Sequence, residues 1–108
     1  MNIYVAAKWE ERERAREIMI QLIEAGHIIT YDWTQAVEQM SCEQALRDLH
    51  GVFEADALVL IAEHDLAYKG ALVEMGMAIA CGLPVYVLGH AIDSCIFMAL
   101  PQVYRGLP

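Results

Sequence analysis

The chain contains 108 residues, 57 % of them hydrophobic, and its formal net charge is −8, from 7 Lys and Arg against 15 Asp and Glu. This length suits one domain with one core. The negative charge disfavours DNA or RNA as a partner, because both are polyanions. Such a high hydrophobic content in a short chain predicts a homo-oligomer, in which other subunits cover part of the apolar surface.

The sequence favours a cytoplasmic protein without a membrane partner. Residues 2–6 run directly into Lys8 and a dense cluster of charges, which is not the pattern of a secretory signal peptide. No apolar run approaches the length needed to span a membrane. The three cysteines, Cys42, Cys81 and Cys95, lie in apolar or helical contexts without metal-ligand spacing, which predicts buried free thiols.

The first third of the chain predicts a strand, a helix and a second strand. The apolar residues 2–6 predict a buried first strand. Residues 10–25 predict an amphipathic helix, with glutamates in its first turn and Gly26 as a natural residue to end it. The Glu and Arg run over residues 10–17 predicts a solvated helix face. Residues 27–31 predict the second strand.

A second helix is predicted after the loop Asp32-Trp33-Thr34. Thr34 or Ser41 is expected to cap its start, and the helix is expected to run to about His50. The residues predicted to face inward are Ala45, Leu46 and Leu49. Gly51 is expected to end or kink the helix, with Val52 and Phe53 packing beyond it.

The second half of the chain predicts a βαβ unit. Residues 57–62 predict a strand, residues 63–67 a polar loop, the stretch after Gly70 a helix, and residues 84–88 another strand. A short apolar segment at residues 96–100 and a last short strand at 102–104 follow. Alternating strands and helices predict a single-domain α/β sandwich of the Rossmann or flavodoxin-like type, with a mostly parallel sheet of four to five strands.

Functional side chains are expected at the carboxyl ends of the parallel strands. Candidates at these positions and on the helices beside them are Tyr4, Trp9, Asp32, Trp33, Asp48, His64, Asp65, Tyr68, Lys69 and Glu74. Glu74 lies in an otherwise apolar helix, so it either faces solvent or points into the ligand crevice. Asp48 and Glu74 are both carboxylates at the edges of apolar segments. Such a pair can act as one ionised nucleophile and one protonated acid.

Other chemistries have weaker support. Gly70 alone does not make a phosphate-binding motif, although the helix N-terminus after it could hold a small anion. The four histidines are scattered, with no pair at metal-ligand spacing, so no metal site is predicted. Asp56 is expected to cap or end an element rather than to take part in chemistry.

Three stretches, in this order, resemble the nucleoside 2-deoxyribosyltransferases. They are Ile3-Tyr4-Val5-Ala6-Ala7-Lys8-Trp9, then Asp48-Leu49-His50-Gly51-Val52 with Ala55-Asp56, then Gly70 through Glu74-Met75-Gly76. The resemblance extends from Ile3 to about Gln102. The wider superfamily also contains 2′-deoxynucleoside 5′-phosphate N-glycosidases.

The resemblance implies a role for each matching residue. Glu74 would attack C1′ of the deoxyribose and form a glycosyl-enzyme ester. Asp48 would protonate the departing base and later deprotonate the incoming one. Tyr4 would contact the nucleophile and crowd the 2′ position, and Trp9 would wall the base or sugar pocket. No cofactor is implied, and the ligands would be small-molecule deoxynucleosides and free nucleobases.

The sequence also departs from the family's pattern. Tyr68 stands where transferases often have an aspartate and the nucleotide hydrolases a phosphate-contacting serine, while Lys69 and Gly70 beside it keep a phosphate-binding role open. Family members often complete the pocket with a residue from a neighbouring subunit, which predicts a dimer or a trimer of dimers with sites near subunit interfaces. Ser94 lies in the corresponding region. The chain also lacks the longer C-terminal segment typical of transferases.

Three functions therefore remain open at the level of sequence. The first is base exchange on 2′-deoxyribonucleosides through a Glu74 ester. The second is hydrolysis of deoxynucleosides or their 5′-monophosphates by the same two carboxylates, with water as the acceptor. The third is a nucleotide-binding module without catalysis, against which the joint presence of Tyr4, Asp48 and Glu74 argues.

Overall fold

The computed structural model describes residues 1–37, 40–64 and 67–108, and its centre is a five-stranded sheet. The strands are β1 (Asn2–Ala6), β2 (Ile28–Ile29), β3 (Ala57–Ile61), β4 (Val85–Leu88) and β5 (Val103–Arg105). Their order is β2-β1-β3-β4-β5, and every neighbouring pair is parallel. This is the strand order of the flavodoxin-like α/β fold, so the predicted fold class is confirmed.

The two central strands carry the core. Every residue from Ile3 to Ala6 and from Ala57 to Ile61 is buried, and Ile3 pairs with Ala57 across the two strands. A strand covered on both faces needs a continuous apolar run rather than alternation, which is what both segments have. At the start of β1, the Asp56 carboxylate accepts a hydrogen bond from the Asn2 N–H (2.8 Å), which agrees with its predicted structural role.

Within the described residues, three α-helices connect the first four strands. They are α1 (Arg12–Glu24), preceded by a 3-10 turn at Trp9–Glu11, then α2 (Cys42–Phe53) and α3 (Lys69–Ala80). Gly26 follows α1 with φ of +94°, a left-handed conformation that glycine adopts without strain. Helix α1 contacts β1 and β2, whereas α2 and α3 contact each other and β1.

Helix α2 confirms one part of its prediction and differs from it in two others. Ser41, one of the two predicted caps, caps the helix, since its hydroxyl accepts a hydrogen bond from the Gln44 N–H (3.1 Å). Gly51 does not end the helix, which continues to Phe53. Several residues predicted to be inward or packed are exposed instead: Ala45, Leu46, Leu49 and Phe53. The buried residues of α2 are Gln44, Gly51 and Val52. Near its N-terminus the helix therefore buries a polar side chain, that of Gln44.

Smaller differences concern the cysteines and the edge of the sheet. Cys42 and Cys81 are exposed and Cys95 is half-buried, so the prediction of buried thiols is wrong, although all three are free. Both exposed cysteines lie at the ends of helices, Cys42 at the start of α2 and Cys81 directly after α3. Strand β2 is limited to Ile28–Ile29 because β1 pairs with it only at Asn2 and Ile3. In the described ranges, no helix has both the length and the apolar character needed to cross a membrane.

Candidate active site

Tyr4 and Glu74 meet inside the protein. Tyr4 is on β1 and is fully buried, and Glu74 lies in the second turn of α3 with 9 % of its surface exposed. The Tyr4 hydroxyl donates a hydrogen bond of 2.5 Å to Glu74 Oε2. A short bond from a neutral donor to a carboxylate is a strong, charge-assisted one. Glu74 therefore points into the fold and does not face solvent, which was one of its two predicted orientations.

The surroundings of Glu74 favour its protonated form more than water does. Burial raises the pKa of Glu74 to about 7, and the negative charge of Asp48 acts in the same direction. The hydrogen bond from Tyr4 opposes this rise, since it stabilises the ionised carboxylate. Glu74 is thus a carboxylate that titrates near neutral pH, which is a property of many catalytic groups.

Gly51 makes room for the Tyr4 ring. A Cβ atom at residue 51 would lie 2.8 Å from Tyr4 Cδ2 and Cε2 and 3.0 Å from the Cβ of Tyr31. The ring can therefore pass closely beneath α2 only because residue 51 has no side chain. Burial and the two nearby carboxylates raise the pKa of Tyr4 well above its ordinary value, so Tyr4 stays a neutral donor.

Asp48 is held from its own helix. Gln44, one turn earlier on α2, donates from Nε2 to Asp48 Oδ1 (3.0 Å), and the Tyr31 hydroxyl donates to Gln44 Oε1 (3.1 Å). Asp48 is half-buried, and desolvation raises its pKa, while the Gln44 hydrogen bond lowers it. The two carboxylates are close enough for Asp48 to affect the pKa of Glu74.

A small cavity of about 120 Å³ lies against Asp48 and Gln44 and is walled by Trp9, Trp33 and Ala36. The two indole rings are 6.3 Å apart at a 48° tilt. Trp33 is fixed because its Nε1–H donates to the backbone carbonyl of Val5 (2.6 Å). Flat aromatic walls beside a carboxylate suit a planar heterocycle. Trp9 therefore lines the cavity beside Asp48.

Tyr68 is occupied by a separate set of contacts. Its hydroxyl donates to Glu11 Oε1 (2.9 Å) and accepts from the His64 N–H (3.0 Å), and the Lys8 ammonium lies 5.4 Å from its ring centre. Glu11 is buried, with its Oε2 lacking a hydrogen-bond partner among the described residues. The prediction that residues 10–17 form only a solvated face is therefore wrong at Glu11.

The remaining predicted residues lie apart from the Tyr4–Glu74 contact. Lys69 and Gly70 begin α3 and are exposed, and a Cβ at residue 70 would meet nothing within 4 Å. Ser94 is exposed and lines a different cavity, of about 500 Å³, formed by the 93–99 segment and Arg105. Asp65 lies outside the described residues. Within residues 1–37, 40–64 and 67–108, no three His, Cys, Asp or Glu side chains group closely enough to hold a metal ion.

Sequence reasoning missed Gln44 and Tyr31, which are part of the same hydrogen-bonded group. Gln44 precedes Asp48 by one helical turn, a spacing that puts two side chains on one face of a helix. That spacing was a usable signal for Gln44. Tyr31 had none, because its approach to Gln44 depends on how the chain after β2 packs against α2.

The arrangement combines a buried carboxylate with a tyrosine donor, a second carboxylate, and an aromatic cavity beside it. A carboxylate nucleophile and a proton donor are the two groups that displacement at an anomeric carbon requires. No protein-family model matches the chain, and no curated protein matches it either.

Proposed function

We propose that the protein is a nucleoside 2′-deoxyribosyltransferase, which exchanges nucleobases on 2′-deoxyribonucleosides. The observation that carries the proposal is the hydrogen bond of the buried Glu74 with Tyr4, beside a second carboxylate, Asp48. Burying a carboxylate lowers the stability of the folded protein. Such a group is expected where the carboxylate takes part in a reaction.

Glu74 is the proposed nucleophile. Tyr4 holds Oε2, which leaves Oε1 to attack C1′ of the deoxyribose. As the Oε1–C1′ bond forms, the bond from C1′ to the base nitrogen breaks and its electron pair stays with the base. Asp48, in its protonated form, transfers its proton to that nitrogen. The product of this half-reaction is free base and a deoxyribosyl ester of Glu74.

The second half-reaction reverses these steps with a new base. Asp48, now ionised, removes a proton from the incoming base, whose nitrogen attacks C1′ and releases Glu74. In this proposal Trp9 and Trp33, which line the cavity beside Asp48, hold the base. The Tyr4 ring is proposed to crowd the 2′ position against a ribose hydroxyl. Neither half-reaction needs a cofactor.

Hydrolysis by the same residues is the second candidate. Its support is the position of Asp48, which is half-buried and lies on a cavity that shares Ala36 and Gln44 with a larger one of about 410 Å³. Water that reaches Asp48 could be activated there and attack the ester in place of a base. The substrate would be a deoxynucleoside or, with Lys69 exposed at the start of α3, its 5′-monophosphate.

Other subunits are part of the proposal. Ser94 is exposed and remote from the small cavity within one chain, so its proposed contact with substrate requires a neighbouring copy. A homo-oligomer, either a dimer or a trimer of dimers, would bring such a segment to the site and limit water.

The test is incubation of the protein with 2′-deoxyinosine, with and without free adenine, followed by chromatography. Appearance of 2′-deoxyadenosine only when adenine is present is the expected result. Free hypoxanthine and deoxyribose alone would favour the hydrolase, and the assay would then be repeated with the 5′-monophosphate. No conversion of either substrate would contradict both enzymatic proposals and favour a binding module.

A further inference from the structure

Among the residues that the structure describes, Gln44 is the one buried polar side chain that touches a proposed reacting group and has no role in the scheme above. It is 7 % exposed although it lies in the first turn of a helix, where glutamine is normally solvated. Both ends of its amide are used, by Tyr31 on one side and Asp48 on the other. A buried amide with both ends satisfied has a fixed orientation.

We propose that Gln44, oriented by Tyr31, is a positioning residue that fixes which oxygen of Asp48 carries the transferred proton. The inference rests on the proposed function. Gln44 Nε2 donates to Asp48 Oδ1, so Oδ1 is an acceptor and cannot also present a proton along that line. The proton of the acid form is therefore directed to Oδ2, which receives no hydrogen bond from the described residues.

The same contact also affects the pKa of Asp48. Desolvation raises the pKa of Asp48 and the hydrogen bond from Gln44 lowers it, so Gln44 keeps the group able to give up its proton as well as to take one back. A residue that must serve as an acid in one half-reaction and as a base in the next needs both properties. Tyr31 has an indirect part, since it holds the amide with its nitrogen toward Asp48.

The test compares Gln44→Met, which keeps the length of the side chain but removes both hydrogen bonds, with the parent protein. With 2′-deoxyinosine, we expect the single-turnover rate of base release to fall by roughly 10–100-fold, as for loss of an oriented general acid. With a purine deoxynucleoside methylated at N7, that rate should change little, because this cationic base departs without being protonated. The alkaline limb of the rate of base release from 2′-deoxyinosine should move to higher pH, since the hydrogen bond that lowered the pKa of Asp48 is gone.

Two further variants separate positioning from stability. Tyr31→Phe keeps the Gln44–Asp48 contact but frees the amide, so it should shift the same limb in the same direction by a smaller amount. Gln21→Met is the matched control, because residue 21 is exposed on α1 and distant in sequence from the site. If Gln44→Met does not fold, the direction in which Tyr31→Phe shifts the alkaline limb still tests the role of Gln44.

The outcomes also distinguish this inference from the proposed function. Equal losses on both substrates, or an unmoved limb in both variants, would overturn the role of Gln44 while base exchange by the parent protein stands. Absence of activity in the parent protein would overturn the proposed function, and the role of Gln44 with it. The effect of Gln44 on Asp48 can also be measured without substrate. In a ¹³C-detected titration, the Asp48 carboxyl should show a higher pKa in Gln44→Met than in the parent protein. An unchanged pKa would contradict the proposed effect of Gln44.

Discussion

The carboxyl group of Glu74 is stable in its buried position mainly as a neutral acid. Burial raises its pKa from 4.5 to about 7, so in the window between these values the folded protein binds a proton that the unfolded chain has lost. The free energy of unfolding therefore falls as pH rises through that window and stays lower above it. A shift of this size corresponds to about 3 kcal/mol.

Glu74→Gln should therefore be inactive and yet more stable than the parent above pH 7. The amide keeps an acceptor oxygen for the Tyr4 hydroxyl but never ionises, so base exchange is lost while the cost of a buried charge disappears. Thermal unfolding at several pH values, alongside the exchange assay, measures both effects. The difference in midpoint should grow between about pH 5 and pH 7 and then level off.

The control for this prediction is Glu24→Gln, at an exposed position on α1, which should leave both activity and the pH dependence of stability nearly unchanged. Residual exchange in Glu74→Gln near the parent rate would exclude Glu74 as the nucleophile. A stability difference that is the same at pH 5 and pH 8 would show that the ionisation of Glu74 does not set it.

Two substitutions should move the acidic limb of kcat/KM in opposite directions. Activity should fall as pH drops through about 7, because Glu74 must be ionised to attack. Tyr4→Phe removes a hydrogen bond that favours ionisation and should move the limb to higher pH. Asp48→Asn removes a negative charge that opposes ionisation and should move it to lower pH.

Profiles for these variants are best measured with the N7-methylated substrate, whose base needs no proton from residue 48. Shifts of both variants in one direction would be inconsistent with the contacts described here.

How much of the site the sequence predicted differs from residue to residue. Glu74 stood out because a lone carboxylate in an apolar helix has few explanations, and the structure buries it against Tyr4. Lys69 and Ser94 did not stand out on physical grounds, and within one chain they remain apart from that contact. Gln44 carries no charge and so gave no comparable signal, since only its packing makes it unusual.

Helix α2 has a glycine, Gly51, where the Tyr4 ring packs against it. The sequence rules treat a glycine late in a helix as an end or a kink, because glycine destabilises the helical backbone by up to about 1 kcal/mol. At Gly51 this local preference is overridden, since the Tyr4 ring occupies the space of a side chain. Gly51 is therefore explained by a residue far away in sequence, which single-sequence reasoning does not detect.

Gly51→Ala should accordingly destabilise the protein and lower its activity together. The added methyl group would overlap the Tyr4 ring at 2.8 Å, and relieving it would displace the hydroxyl from Glu74. Overpacking of this kind costs about 1–3 kcal/mol. Chemical denaturation and the exchange assay report the two effects.

Gly76→Ala is the matched comparison on the neighbouring helix. Residue 76 is exposed on α3, and a Cβ there would meet nothing within 4 Å, so the higher helix propensity of alanine should stabilise the protein by about 0.5–1 kcal/mol. If Gly51→Ala behaved like Gly76→Ala, the close approach of Tyr4 to α2 would be wrong.

At the scale of the whole molecule, the fold followed from strong signals. Short apolar runs bounded by glycine and charge gave the strands, and their alternation with helices gave a parallel sheet, which β1 to β5 confirm. The outer surface was harder to predict. The rule that apolar helical residues face inward failed at Leu46, Leu49 and Phe53, which are exposed.

Leu49 and Phe53 belong to what we term the α2–α3 groove, an apolar depression of about 200 Å³ between the two helices. It is lined by Leu49, Val52, Phe53, Met77, Ala80 and Cys81. Phe53 is 75 % exposed and Val73, one turn before Met77, is 63 % exposed. Contiguous apolar surface of this kind is typical of an interface between proteins.

We expect this groove to be covered by another copy of the chain, so Phe53→Lys should weaken self-association. Sedimentation velocity across a range of concentrations should show a larger species for the parent protein and a monomer for the variant. Ile23→Lys, at an exposed apolar position on α1, is the control and should leave the assembly intact. A parent protein that is monomeric throughout would contradict the predicted homo-oligomer.

The strand order has a consequence for how the chain folds during synthesis. Strand β1 emerges first, yet its main partner β3 begins at Ala57, and its other neighbour β2 contributes only two residues. Until the ribosome has released β3, the apolar face and edge of β1 have little to pair with. Because domains with such long-range pairing fold slowly, a nascent or truncated chain ending before β3 should be prone to aggregate or to need a chaperone.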